Sequence, residues 1–387
     1  MQRRRSSAAF TVAVSVVMLL GAVVMAVVLL LSGAPGALVV GVVLAALPVA
    51  PLVAVYMWLD RYEPEPRSLL VLALGWGAFV ATSAALLLQV ADGLLVGSSD
   101  GWSTAVVAPV TEEASKGLFV LLLLFFRRRE LDGILDGLVY AGMVGIGFAF
   151  TENILYLSAA YMGQDGQPGG VGGAIGLFVV RGIISPFAHP FFTSFIGIGV
   201  GLAVTTRSPA VRVLGPLVGY LLAVAAHAAW NGSLVADDGA NALATYVFLM
   251  VPAFLLLAGF AIWSRRRERR VLTRALEDCA ERGFLHPAEV PWLAGIRARR
   301  FARRYAETAG GAVARRTMVA YQHEAVELGF LHHRYLRGVA PSDFVVLGQE
   351  HVDRMAALRP SLLWPQPTRP TEAQLPVVPA EQQRTPW

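Results

Sequence analysis

The sequence predicts an all-α protein: a polytopic helical membrane protein with about eight transmembrane helices and a mostly helical, basic cytoplasmic tail. Three observations carry this. Residues counted as hydrophobic make up 56% of the 387-residue chain against 15% charged, too apolar for a soluble domain of that length to hide from water. The apolar residues gather into runs of the roughly 20 residues that a bilayer crossing needs. The arginines, finally, sit beside those runs on alternate loops, the asymmetry that sets membrane orientation.

The runs are 10–32, 37–58, 69–95, 104–126, 133–159, 174–204, 212–235 and 242–263. The first follows Arg3, Arg4 and Arg5; it is too long for a signal peptide and no small-residue cleavage site closes it, so an anchor is expected. Arg3 to Arg5, Arg61, Arg67, Arg127 to Arg129, Arg207, Arg212 and the run Arg265, Arg266, Arg267, Arg269 and Arg270 all fall on one side. The opposite loops hold Ser98, Ser99, Asp100, Asp165, Asp237 and Asp238 and no Lys or Arg. The positive-inside rule then predicts a multi-pass protein of the cell membrane with both termini cytoplasmic.

Three regions follow: residues 1–263 within the membrane, a basic helical region at 264–359, and a Pro-rich segment at 360–387 with few large apolar residues, expected to be disordered. The middle region holds an echo, Glu281-Arg282-Gly283-Phe284-Leu285-His286 against Glu327-Leu328-Gly329-Phe330-Leu331-His332, suggesting two helical units each stopped by glycine. The formal charge of +5 raises the question of nucleic acid, but arginines beside apolar spans serve orientation and anionic lipid headgroups, so no nucleic-acid partner is expected. The arginines near 297–304 are the expected headgroup contacts. The single cysteine, Cys279, leaves nothing for disulfides or a Cys-rich metal site.

Charged groups inside spans are expensive and mark pathways, relays or active sites. The fourth span carries Thr111-Glu112-Glu113-Ala114-Ser115-Lys116, the fifth Phe148-Ala149-Phe150-Thr151-Glu152-Asn153, the sixth Arg181 and His189-Pro190-Phe191-Phe192-Thr193, and the seventh His227-Ala228-Ala229-Trp230-Asn231. At about 1.5 Å per residue, Glu112 and Glu113 lie about 12 to 14 Å from the outer ends of their spans, Glu152 about 10 Å, His227 about 12 Å and Asn231 about 6 Å. His189 falls near 22 Å, or about 16 Å if its overlong span starts later. One buried site in the outer half of the membrane predicts such a layer. Simpler roles exist for each: Glu112 and Lys116 at i,i+4 can pair, Glu152 can pair with Arg181 or Lys116, and the histidines and Asn231 can serve helix packing. Glu113, about 100° around the helix from Glu112, is not neutralised by the Glu112–Lys116 spacing and is the expected base.

No Gly-x-Gly-Asp or His-Glu-x-x-His device occurs, and His323-Glu324-Ala325-Val326-Glu327 in the tail lacks a second histidine. What remains is a carboxylate and imidazole set able to activate water directly or to hold a metal that does so.

At these residues the sequence resembles the PrsW family of intramembrane proteases, grouped with type II CAAX prenyl endopeptidases and bacteriocin-immunity proteins. The resemblance covers roughly residues 45–263: Asp60-Arg61-Tyr62-Glu63-Pro64-Glu65-Pro66 is similar to the family's acidic-proline loop, Glu112-Glu113-x-x-Lys116 to its first motif, Phe148-x-x-x-Glu152-Asn153 to its second, and His189-Pro190 with His227-x-x-x-Asn231 to its histidine motifs. It implies cleavage of a membrane-anchored, single-span substrate, best known as first-site cleavage of an anti-sigma factor. Carried over by motif, Glu113 assisted by Glu112 polarises a water, and His227 and Asn231 stabilise the oxyanion. Glu152 and His189 complete the water site or, with Glu113 and His227, hold a divalent metal such as zinc, while Lys116, Asn153 and Arg181 support the cluster. The spacing carries no zinc signature, and metal-free and metal-dependent mechanisms both stay open. The prenyl endopeptidases follow their paired glutamate with arginine and have histidine in place of Glu152, so prenyl-cysteine specificity is not implied. A proton-coupled transporter or a non-enzymatic scaffold are the other classes that buried charge and a basic tail allow.

Overall fold

A computed structural model describes residues 2–32, 35–163 and 169–365. Asp165 and the stretch from 366 on, most of the expected disordered segment, lie outside the described residues, as do the side chains of Arg3 to Arg5, Asp237 and Asp238. The chain divides into two compact units, Met1–Val271 with Arg334–Pro341, and Leu272–His333 with Ser342–Trp387.

In the first unit the helices are α1 (Gln2–Ser32), α2 (Pro35–Ala46), α3 (Val49–Leu59), α4 (Arg67–Gly75), α5 (Thr82–Leu95), α6 (Asp100–Trp102), α7 (Ala108–Phe126), α8 (Ile134–Met162), α9 (Gly170–Phe178), α10 (Ala188–Thr205), α11 (Pro209–Val235), α12 (Ala242–Thr245) and α13 (Val251–Glu281), with no strand among the described residues. Joined through their breaks they give seven helices long and apolar enough to cross a membrane: Ala8–Leu31, Pro35–Leu59, Arg67–Leu95, Ile134–Met162, Gly170–Thr205, Pro209–Val235 and Ala242–Glu281. The eighth expected span is helical from Asp100 to Phe126 but falls outside that apolar set, because Glu112, Glu113 and Lys116 all lie in it. The last helix does not stop at 263, where its apolar run ends; it continues into the polar region to Glu281.

The centre of the bundle is α8, almost wholly buried. Its small residues let backbones cross closely, since neighbouring helices in lipid gain by packing rather than by hydrophobic burial. A Cβ on Gly147 would lie 1.9 Å from the Leu74 carbonyl oxygen, and one on Gly145 would lie 2.7 Å from Pro190 Cα. The second approach brings the start of α10, and with it His189, against the helix that carries Glu152.

Four stretches widen into π-helical turns: Trp76–Ala81, Ser103–Val107, Val179–Ile184 and Tyr246–Met250. The last three each end two residues before a proline, Pro109, Pro186 and Pro252. Proline has no N–H, its ring clashes with the carbonyl four residues back, and it disfavours α geometry in the residue before it. In all three places the residue before proline donates five residues back instead of four: Ala108 to Ser103, Ser185 to Val180, and Val251 to Tyr246. Around Ser185-Pro186-Phe187 the span Gly170–Thr205 breaks altogether, so His189 sits in the first turn of a new helix.

The second unit contains α14 (Val290–Ala294), α15 (Ile296–Leu336, kinked at Gly310 and Gly311) and α16 (Phe344–Leu358), with the end of α15 belonging to the first unit. The two halves of the echo differ. Gly283, at φ +79°, follows the end of α13 as a stop signal should. Gly329 is inside α15 and stops nothing; its missing side chain admits Leu272 and Leu276, with an added Cβ only 3.0 Å from Leu272 Cδ1. Two of the arginines expected at headgroups are engaged within this unit: Arg299 is buried and donates to the Leu293 carbonyl at 2.5 Å, and Arg303 donates to Gln322 Oε1 at 2.6 Å. Leu362 and Trp364, at the start of the segment expected to be disordered, pack against the cluster of Ala302, Ala306, Ala314 and Met318.

Candidate active site

Three residues of α7 open the site. Lys116 Nζ is fully buried and donates to Glu112 Oε2 at 3.1 Å and Glu113 Oε1 at 2.9 Å, with His189 Nδ1 at 3.0 Å. Three acceptors satisfy the three protons of an ammonium, and the Phe148 ring lies 3.7 Å below it. The sequence reading that left Glu113 free of Lys116 is therefore corrected: positions i+3 and i+4 flank one another on a helix, and a single lysine reaches both carboxylates.

Hydrogen-bond bookkeeping fixes the histidines. Lysine donates only, so His189 Nδ1 accepts, and Nε2 carries the proton that meets Glu152 Oε2 at 2.7 Å. Glu152 Oε2 also accepts from Arg181, whose Nε donates to Asn153 Oδ1 at 2.7 Å and whose guanidinium stacks on Tyr156. His227 Nδ1 lies 3.0 Å from Glu113 Oε1, and Thr193 Oγ1 donates to Glu113 Oε2 at 3.0 Å. With Nδ1 protonated toward Glu113, the lone pair of His227 is on Nε2, 3.9 Å from Glu112 Oε2. Phe192 stacks on the His227 ring at 4.6 Å and holds its plane.

A cavity of about 890 Å³ opens onto this network, lined among others by Glu112, Glu152, Asn153, Arg181, His189, His227 and Asn231. Glu113 and Lys116 do not reach it; both side chains are fully buried. Asn231 borders the cavity but spends a proton on the Thr104 carbonyl at 3.1 Å. Local geometry explains that bond: Ala108 N–H has gone to Ser103 and Pro109 has no N–H, so Thr104 lacks a helical donor. Thr193, present in the sixth-span motif but without a role predicted from sequence, joins the site here; it stands one turn beyond His189 on the same face.

Glu112, His189 and His227 each bring one donor atom within 4.8 Å of the others, all three buried. The metal set expected from sequence was Glu113, Glu152, His189 and His227; the compact group has Glu112 in place of Glu113, whose oxygens are already taken, and Glu152 faces the other nitrogen of His189. Two imidazoles, one carboxylate and a side open to a cavity fit a divalent cation in donor type. Glu113 accepting from His227 Nδ1 supplies the outer carboxylate that such a ligand histidine usually has. The Lys116 hydrogen bond to His189 Nδ1 competes for the third donor.

Fold and site together define a membrane-embedded enzyme whose polar centre lies inside its helical bundle. The description "PrsW family intramembrane metalloprotease" belongs to a family model that matches residues 65–257. Proteins named Protease PrsW are similar as well: one of Bacillus subtilis is 24% identical over 226 residues, 58% of this chain and 94% of that protein. One of Geobacillus kaustophilus is 32% identical over 160 residues, 40% of this chain and 64% of that protein, and one of Clostridioides difficile 28% identical over 161 residues, 39% and 62%. No solved structure matches. The chain belongs to the PrsW family of intramembrane proteases.

Proposed function

We propose that Glu112 is the general base of this protease, and that Glu113 positions His227 rather than touching water. The observation that carries the reading is that, of the two adjacent glutamates, only Glu112 faces the cavity. A water between Glu112 Oε2 and His227 Nε2, 3.9 Å apart, donates one proton to each and keeps a lone pair for the substrate carbonyl carbon. Glu112 takes a proton as the C–O bond forms, and returns it to the amine as the C–N bond breaks. The remaining N–H of Asn231 and the guanidinium of Arg181 are the cavity donors available to the oxyanion. A divalent ion held by Glu112, His189 and His227 would add Lewis-acid polarisation of the carbonyl and of the water.

The substrate proposed is a single-span membrane protein, an anti-sigma factor being the instance that the family resemblance implies, taken from the bilayer against the apolar lining residues Leu86, Leu177, Trp230 and Leu234. Both termini are assigned to the cytoplasm on the arginine distribution, and no nucleic acid takes part. The test is cleavage of a single-span reporter by the purified protein in liposomes, with thermal stability recorded alongside. Glu112→Gln, which keeps shape but cannot accept the proton, is expected to lower kcat at least a hundredfold in a folded protein, the low end of what a positioned base contributes. Near-normal turnover by a stable Glu112→Gln protein would remove it from the role of base.

A further inference from the structure

At the end of the bundle that carries the arginine-rich loops, a second cavity of about 530 Å³ is lined by Leu202, Thr205, Thr206, Arg207 and Val211 from the α10–α11 turn and by Leu336, Arg337 and Val339 from the returning segment Arg334–Pro341. The end is identified by contacts rather than by loop charge alone: Gly201 near the end of α10 lies against Ile134 and Gly133, beside the Arg127 to Arg129 loop, and Arg265 donates to the Trp58 carbonyl at 2.9 Å.

The guanidiniums there are placed by backbone, not by acids. Arg337 donates to the Thr205 carbonyl at 3.2 Å and Arg212 to the Thr206 carbonyl at 3.3 Å. Arg207 lies on Gly338, where a Cβ would come 1.5 Å from Arg207 Nη2 and where φ is +64°. No carboxylate lines this cavity, and among the described residues none of Arg207, Arg212 and Arg337 has an ion pair. Each arginine has five N–H donors, of which Arg337 and Arg212 spend one each on these carbonyls. Two like charges, Arg207 and Arg337, line one hollow, with Arg212 bonded to the carbonyl of the lining residue Thr206, and cations so placed with donors to spare call for an anion. Beside them are apolar side chains that face outward, with Leu336 51% and Leu202 40% exposed.

We propose that this cavity binds the phosphate of an anionic phospholipid, with Arg207 and Arg337 on the phosphate and the acyl chains along Leu202, Val211 and Leu336. Exposed leucine and valine at the end of a membrane span favour a lipid over a free anion, because only the lipid covers both surfaces. The lipid would bind the α10–α11 turn and the returning segment at once, and the proposal does not depend on which residue is the catalytic base.

The full chain, purified in detergent, is mixed with phosphatidylglycerol, phosphatidylcholine or inorganic phosphate, and lipid retention is read by native mass spectrometry and stabilisation by melting temperature. Wild type is expected to retain phosphatidylglycerol over phosphatidylcholine. Arg207→Ala with Arg337→Ala is expected to weaken that retention roughly thirtyfold, at the usual worth of an arginine near a charged surface. Gly338→Ala, which displaces Arg207 without changing net charge, should weaken it also. Equal phosphatidylglycerol retention by wild type and the double arginine variant would overturn the proposal. Stabilisation by inorganic phosphate equal to that by the lipid would overturn the lipid as the source, leaving a site for free anions.

Discussion

Glu113 shows how little the identity of a buried carboxylate says about its task. Both of its oxygens are engaged, by Lys116, His227 and Thr193, whereas its neighbour Glu112 keeps a face on the cavity. The sequence placed these groups at one depth and on named helices, but rotation about α7 and the reach of one lysine to two glutamates are tertiary facts that spacing leaves open. Thr193 stands in the sixth-span motif with no role legible from sequence for a similar reason: a threonine in an apolar helix usually bonds its own backbone. Here its hydroxyl instead holds Glu113, and through it the tautomer of His227. Thr193→Val is therefore expected to lower kcat by about ten to a hundredfold with KM little changed, the usual cost of losing an outer-shell orienting bond, while Thr193→Ser restores most of the rate. Steady-state kinetics on the reporter peptide decide it; full activity in the valine variant would make the bond incidental.

The helices themselves were plain in the apolar runs, to within a few residues at most ends, because a bilayer imposes length and apolarity together. Their interruptions were present in the sequence as Pro109, Pro186 and Pro252 but were not read as structure, since proline in a membrane helix can kink, widen or simply be tolerated, and neighbours choose among these. At Pro109 the widened turn matters to the site, because it frees the Thr104 carbonyl that fixes Asn231. Pro109→Ala restores an N–H, lets the turn close to α geometry and rotates Ser103 and Thr104 by about 100° relative to α7 as one residue leaves the bulge. The variant is expected to melt at a higher temperature, since proline costs about 3 kcal/mol in a helix interior, and to cleave more slowly as Asn231 loses its anchor. A variant that is both more stable and fully active would show that the π turn has no part in turnover.

At the scale of the whole chain, composition and arginine placement predicted a membrane bundle followed by a polar region, but nothing in either announced that Arg334–Pro341 returns to the bundle. One long-range ion pair helps to hold that return: Arg334 Nη1 meets Asp132 Oδ2 at 2.5 Å, with both side chains largely buried. Asp132 belongs to an acidic group at this end of the bundle. Asp60, which accepts from the Glu65 N–H at 2.9 Å, is pushed up to about 8 by burial, the nearby Asp136 adding to the shift. Burial likewise holds the Asp132 carboxyl above its ordinary range, although the Arg334 guanidinium opposes the shift. A carboxyl whose folded pKa is raised stabilises the fold at pH values below its unfolded pKa, and that contribution is lost as pH rises through the folded value. The protein should therefore melt at a lower temperature at pH 8 than at pH 5. Replacing Arg334 with methionine removes the charge that offsets burial and leaves Asp132 alone, so its penalty grows wherever the carboxyl must ionise. The difference in melting temperature between wild type and Arg334→Met is expected to be small at pH 5 and to widen toward pH 8, while adding Asp132→Asn to the variant closes the gap again. A gap of the same size at both pH values would mean that Arg334 holds the segment by packing alone, without the ion pair.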